Sequence, residues 1–522
     1  MKFKTKYIWL AALCLTFASC SDDDNSNDNE TVLPPLTAGE ADFSNYVSLG
    51  NSLTAGYTDG ALFAAGQQNS MSSMLAQQFS LAGGGSFSQP MMSDNTGGVL
   101  LGGNQILKNR LVFNGEGPVR LEEVIGPVSP QTDLLVNNPT GPFNNMGVPG
   151  AKSYHLLANG YGNIGNLSLG LANPYFVRMT GSTPDASVIE LSMAQNPTFF
   201  TLWIGNNDVL GYATTGGDGT DPITDQATFD YAYTTLVSAL TAGGAKGVVA
   251  NIPDVTTIPH FTTVPYNPLD PSNPDYGPQI PTLNATFGAL NQAFAFLGVP
   301  ERSIVFSETD ASPVVIHDES IPNISAQLIP VLMGAGLDPQ TAGLLGTQYG
   351  QCRQATAQDL LVLSSSSEIG QLNMDYFNAL VSGGVPPTTA GQLAVNGITY
   401  PMLDKWVLLP SEQNEIANAI AGFNATIQSA AQQTGLAFVD ANGLMNQIAN
   451  GGIQSGDFIL TSDLVLGGAF SLDGVHPTAR GYSTIANEFL KAIDVTYGSN
   501  FEASGSMLDA GDYPTNYSPL MP

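Results

Sequence analysis

Five short apolar runs, each passing into glycine or a polar residue, limit the architectures open to this chain more than any other feature. They lie in NYVSLGNS around Val47, TFFTLWIGNND ending at Asp208, KGVVANIPD around Val248 and Val249, SIVF from Ser303 to Phe306, and GLAFVDAN around Phe438. Runs this short and this apolar are expected to be strands buried on both faces. Helical spacing lies between and after them. Ile416, Ile420, Phe423, Ile427 and Ala430 fall on one helical stripe, with Gly435 placed to stop it. Tyr482, Ile485, Ala486, Phe489, Leu490 and Ile493 form a second stripe near the end. Strands alternating with helices predict an α/β fold with a mostly parallel sheet covered on both faces. Functional residues should then gather at the strand ends.

Two stretches break the alternation. Residues 59–144 are rich in Gly, Ser, Met and Gln, and residues 261–404 open with the proline-rich VPYNPLDPSNPDYGPQIP. Both are read as large loop and helical insertions into one domain spanning 41–495, with 496–522 as a C-terminal tail. Within the second, SAQLIPVLMGAGL is interrupted by Pro330 and two glycines, which argues for a buried cap helix over a membrane span. The 57 glycines and 34 prolines of the 522 residues agree with long connections between elements.

The opening MKFKTKYIWLAALCLTFASC has a basic start, an apolar stretch and small residues before Cys20, the pattern of a signal peptide over residues 1–20. Residues 21–40, acidic and Asn-rich with no apolar periodicity, read as a flexible tether. With 44 acidic residues against 14 Lys plus Arg, the chain disfavours nucleic acid as a partner. Of three cysteines, Cys14 leaves with the signal and Cys352 stands alone, so neither a disulfide framework nor a cysteine metal cluster is expected.

Chemistry has few places to reside. A serine hydroxyl needs a base within hydrogen-bond reach, and that base needs a third group to orient it. Only four histidines occur. His476 lies in SLDGVHPTARGY with Asp473 three residues earlier, a spacing that in a turn lets the carboxylate hold one ring nitrogen while the other faces outward. His155 and His260 have no acid at comparable spacing and are read as structural or pocket-lining; His317 beside Asp318 is a weaker base candidate because adjacent side chains diverge. Ser52, in GNSL after the first run, is the nucleophile candidate, with a helix N-cap as its plain structural alternative. Its own N–H, the backbone at Gly150 and the Asn207 amide could receive an oxyanion. Asp208 is expected to cap the following helix.

The blocks GNSL, NNMGVPGA, IGNND and DGVHP, in that order from Gly50 to Pro477, resemble the SGNH hydrolase superfamily, the GDSL esterases and lipases. The resemblance implies a flavodoxin-like three-layer α/β/α sandwich, a catalytic set of Ser52, Asp473 and His476, and an oxyanion hole made by Ser52, Gly150 and Asn207. It implies hydrolysis of a carboxylic ester, lipid, acetylated glycan or small, with neither metal nor cofactor. Asn51 stands where the eponymous pattern has Asp. The α/β-hydrolase elbow fits less well, since Thr54 occupies the position of its second glycine. The leader resembles a bacterial lipobox, which implies a lipid anchor on Cys20 and an extracytoplasmic, outer-membrane location exposed at the cell surface. A non-catalytic glycan- or lipid-binding lipoprotein on the same scaffold is the alternative from another class.

Overall fold

The computed structural model describes residues 33–521; the expected leader, Cys20 and the tether up to residue 32 lie outside the described residues. From Pro35 the chain is already fastened to the core. Pro35 O accepts from Asn500 Nδ2, Thr37 N–H donates to Asn500 Oδ1, and Glu40 N–H donates to Tyr497 O. The last residues of the expected tether are therefore docked.

Five parallel strands form the central sheet: β1 (Tyr46–Gly50), β2 (Asn145–Gly147), β3 (Phe199–Trp203), β4 (Lys246–Ala250) and β5 (Ala437–Val439), in the order β5-β4-β3-β1-β2. Every residue of β1 and β3 is buried, as expected of continuous apolar runs covered on both faces. The covering helices are α1 (Ser52–Ala55), α2 (Met71–Leu81), α3 (Asn207–Thr214), α4 (Gln226–Thr241), α5 (Pro410–Thr434), α6 (Ala441–Ala449) and α7 (Ala479–Tyr497). Phe79 of α2 meets Phe199 edge-on at 5.5 Å and Phe489 of α7 lies 6.0 Å from Trp203, whereas Phe229 of α4 stacks on Phe423 of α5 at 4.1 Å. The two groupings are compatible with three α/β/α layers. Both expected stripes are buried, and α5 ends at Gly435 with a left-handed φ of 67°.

Register aims three loops at one place. Gly50 pairs with Gly147 on one side and with Trp203 on the other, so β1, β2 and β3 end level. Ser52, Gly150 and Asn207 follow those ends within a few residues.

The insertions differ in kind. In the first, α2 joins the main core, and two short hairpins, Val99–Leu101 with Asn104–Leu107 and Leu111–Phe113 with Pro118–Arg120, cover the region beyond β1. The second encloses a hydrophobic core of its own, including Phe287, Leu290, Val314, Ile316, Leu328 and Tyr349. It is thus more than an elaboration of the main core. Its apolar segment Ser325–Gly334 is a helix with Pro330 inside it, burying Leu328 and Leu332. No described helix is long and apolar enough to cross a membrane.

The run SIVF is not a strand. Ile304 and Phe306 are buried and Val305 is 57% exposed, the alternation of a strand, yet no strand pairs with them. Two asparagines of the helix Ile280–Phe296 take the place of a partner. Asn291 Oδ1 accepts from Ile304 N–H and its Nδ2 donates to Ile304 O, both at 2.8 Å; Asn284 does the same for Phe306 at 2.9 and 2.8 Å. The backbone is satisfied without a ladder.

Candidate active site

β1 turns directly into α1, and the turn decides which residue caps the helix. Asn51 is the N-cap, its Oδ1 accepting from Leu53 N–H at 3.1 Å, so Ser52 is released from that task. Ser52 sits in the first helical turn, where no intrahelical acceptor exists for its N–H. Its Oγ lies 2.9 Å from His476 Nε2. His476 Nδ1 in turn lies 2.9 Å from Asp473 Oδ2.

Asp473 and His476 meet in a tight turn before α7. Ser471 N–H donates to His476 O and Gly474 N–H to Ser471 O. Gly474 adopts a left-handed φ of 72°, and a Cβ there would stand 3.1 Å from both His260 N and Leu363 Cδ2. Asp473 collects donors from three directions. Val475 N–H, His476 N–H and Ser471 Oγ–H reach Oδ1 at 2.9, 2.9 and 3.1 Å, and Gly60 N–H reaches Oδ2 at 2.8 Å. Burial alone would raise this carboxyl; the His476 charge and the bonds from its ring and from the His476 and Val475 amides outweigh that and hold it well below the usual carboxylate range. It stays an anion, able to fix the imidazole tautomer and to stabilise the imidazolium.

The expected oxyanion donors are brought near one another by neighbours. Val148 N–H donates to Gly50 O, and the loop then turns at Gly150, which is exposed with φ 80°. Asn207 Nδ2 donates to Ala151 O at 2.9 Å, tying the amide to the residue after Gly150 and leaving its second hydrogen for a substrate. Asp208 does not cap α3. Asn206 is the N-cap, without a side-chain bond to the helix, and buried Asp208 accepts from Ser153 N–H and Oγ–H at 2.8 and 2.7 Å, which locks the loop that carries Gly150.

Ser52, His476 and Asn207 border a small cavity of about 90 Å³ whose other walls are mostly apolar, among them Trp203, Leu210, Val255, Leu444, Met445 and Phe470. Gly150 does not line it. Tyr57 packs on the His476 ring at a centroid distance of 4.6 Å while its hydroxyl donates to Gly60 O.

Sequence reasoning missed these supports. Gly60, Tyr57 and Ser471 lie in no recognisable motif, and Gly60 reaches Asp473 from 413 residues away. Asp59 accepts from Leu472 N–H at 3.1 Å while its Oδ2 is buried with no partner; burial, reinforced by the Asp473 charge, pushes it up to about 7. His260, read as structural or pocket-lining, buttresses the turn, its N–H donating to Gly474 O at 2.9 Å; burial brings its ring down to about 4. His155 is structural, accepting from Lys152 N–H and stacked on Tyr161. His317 lies 3.7 Å from Glu319, while neighbouring Asp318 pairs with Arg353 instead. Cys352 is fully buried and its thiol is pushed up by burial, an inert position.

Among the described residues one group could hold a cation: Glu319, Asp404 and Glu412 each offer a carboxylate oxygen within 4.8 Å of the others. It lies where the second insertion meets the start of α5, and none of its members touches the Ser52 and His476 pair. No family model, curated protein or solved structure matches this chain.

Proposed function

We propose that the chain is a serine carboxylic-ester hydrolase of the SGNH type, tethered outside the cytoplasm to the outer membrane by a lipid on Cys20. The observation that carries this reading is the unbroken relay Ser52 Oγ, His476, Asp473, with 2.9 Å at each step. A serine serving only as a helix cap would turn its oxygen toward the helix; here Asn51 does that and Ser52 faces a base.

His476 Nε2 takes the Ser52 proton as Oγ attacks the ester carbonyl carbon. The carbonyl electrons move onto oxygen, and the Ser52 and Gly150 N–H groups with the Asn207 amide receive that oxyanion. Collapse of the tetrahedral intermediate breaks the carbon–oxygen bond to the alcohol, which leaves with the proton from His476. Water then attacks the acyl-enzyme, giving its proton to the same nitrogen, and the acid departs with Ser52 restored. The protein's part in each step is played by these side chains and backbone N–H groups.

Hydrolysis of p-nitrophenyl butyrate by the protein without its leader tests this. Ser52→Ala and His476→Ala should each lose about ten-thousandfold or more in kcat, and a fluorophosphonate should label Ser52. Unchanged rates in both variants, with no labelling, would leave a binding protein on the same scaffold.

A further inference from the structure

The second insertion contains a cavity of about 1460 Å³, well above the roughly 300–1,000 Å³ of ordinary small-molecule sites. At roughly 30 Å³ per water-sized group it has room for several tens of non-hydrogen atoms. Its chemistry is selective. The floor is built from side chains of the insertion's own core, such as Leu269, Phe287, Leu290 and Leu345, and the polar positions are mainly Thr, Gln and Asn. Among the described residues no Lys, Arg or His lines it, and the charged residues that do, Asp270 and Asp275, are acidic. An anionic ligand would find no counter-charge there.

A glycan fits no better. A sugar ring would find no stacking platform, since the three aromatic residues of the wall, Tyr276, Phe287 and Tyr349, are 8%, 3% and 1% exposed, and Phe287 meets Tyr349 edge-on at 5.5 Å. One polar group is left over. The Tyr276 hydroxyl is buried and makes no hydrogen bond, with Ser312 the polar side chain beside it. The cavity also shares a wall with the catalytic turn: Leu363 lines it and packs on Gly474, between Asp473 and His476. Pro118 closes it from the first insertion's hairpin, whose Arg120 Nη1 lies 3.8 Å from a Cβ built on Gly60.

We infer that this compartment binds an uncharged amphiphile, a long alkyl chain carrying a hydroxyl-bearing neutral head. Its size contrasts with the 90 Å³ beside Ser52, which holds only about three methylene-sized groups. The two cavities have no lining residue in common. Binding of the amphiphile itself needs no catalysis.

The test is equilibrium binding of 1-monoacylglycerols of eight, ten and twelve carbons, below their micelle concentrations, to the Ser52→Ala protein. Affinity should rise about threefold to fourfold per added methylene. Dodecanoate and xylohexaose should bind at least tenfold more weakly than 1-monododecanoylglycerol. Gly391 lines the cavity, and a Cβ there would meet nothing within 4 Å, so Gly391→Trp can start a bulky side chain there without meeting the backbone. Gly391→Trp and Leu344→Trp should each lower affinity at least tenfold, with melting temperature confirming the fold. Equal binding of dodecanoate or xylohexaose, or undiminished affinity in both folded variants, overturns the inference. Binding without any ester hydrolysis by the wild type would sink the hydrolase reading and leave the compartment standing; hydrolysis without binding would do the reverse.

Discussion

The central sheet and the second insertion both bury long apolar surfaces, but they satisfy their backbones by different means. In the sheet, β1 to β5 pair with one another, and the level ends of β1, β2 and β3 set the three loops that carry Ser52, Gly150 and Asn207 side by side. In the insertion, the extended segment Ile304 to Phe306 is held by side-chain amides, and the core is assembled from helices, two-stranded pairs and loops together. A ladder fixes register to a fraction of a residue pitch, which chemistry requires. A mixed shell around a large cavity fixes it less tightly, and a ligand made of alkyl chain asks for less.

The comparison can be broken by substitutions on either side of it. The largest effect is expected at the relay: Asp473→Asn should cost about ten-thousandfold in kcat by presenting the wrong hydrogen-bonding group to His476, with melting temperature little changed. Next comes the turn that both insertions support. Gly474→Ala puts a Cβ against His260 N and Leu363 at a left-handed φ, and a displacement of the imidazole by an ångström should cost about a hundredfold in kcat. On the insertion side, Asn291→Ala strips two hydrogen bonds from Ile304, which is fully buried, and should lower stability by about 1–3 kcal/mol in urea unfolding while kcat on a short aryl ester stays the same. A parallel fall in kcat would mean the insertion and the site are not separable.

The smallest effect concerns pH. Asp59 titrates at about 7 when folded against 3.8 as an ordinary carboxyl, so the folded state keeps a proton that the unfolded state has released. Its contribution is fully present below about pH 4 and is lost as pH rises through 7. Asp59→Asn should therefore gain stability relative to wild type between pH 4 and 8, read as a shift in the urea midpoint. No relative shift would mean that Asp59 is ionised throughout.

Much of the sheet and the relay could be read from residues alone, because each announces itself locally. An apolar run between turn residues signals a strand from a handful of residues, and Asp473 reaches His476 within four consecutive residues. β2 gave no such signal: Asn145, Met146 and Gly147 hold a single apolar side chain at a sheet edge. SIVF gave a misleading one, since its alternation is that of a strand while its partners are Asn284 and Asn291 on a helix. The contacts of Gly60, Tyr57 and His260 with the turn from Asp473 to His476 became visible only on folding, because they span hundreds of residues. The insertion's own core was hidden for the same reason, its apolar residues being spread over short elements without a sustained period.

The asparagine clamp has a consequence for how this chain behaves among copies of itself. An apolar extended segment with free N–H and C=O groups is a template on which another chain can add a strand. Here Ile304 and Phe306 have both backbone groups occupied, and Val305 N–H is taken by Gln354 Oε1. Five of the six N–H and C=O groups of Ile304, Val305 and Phe306 are thus held within the chain, which leaves a passing β-edge little to pair with beside the exposed Val305 side chain. Three amide side chains, of Asn284, Asn291 and Gln354, supply this protection.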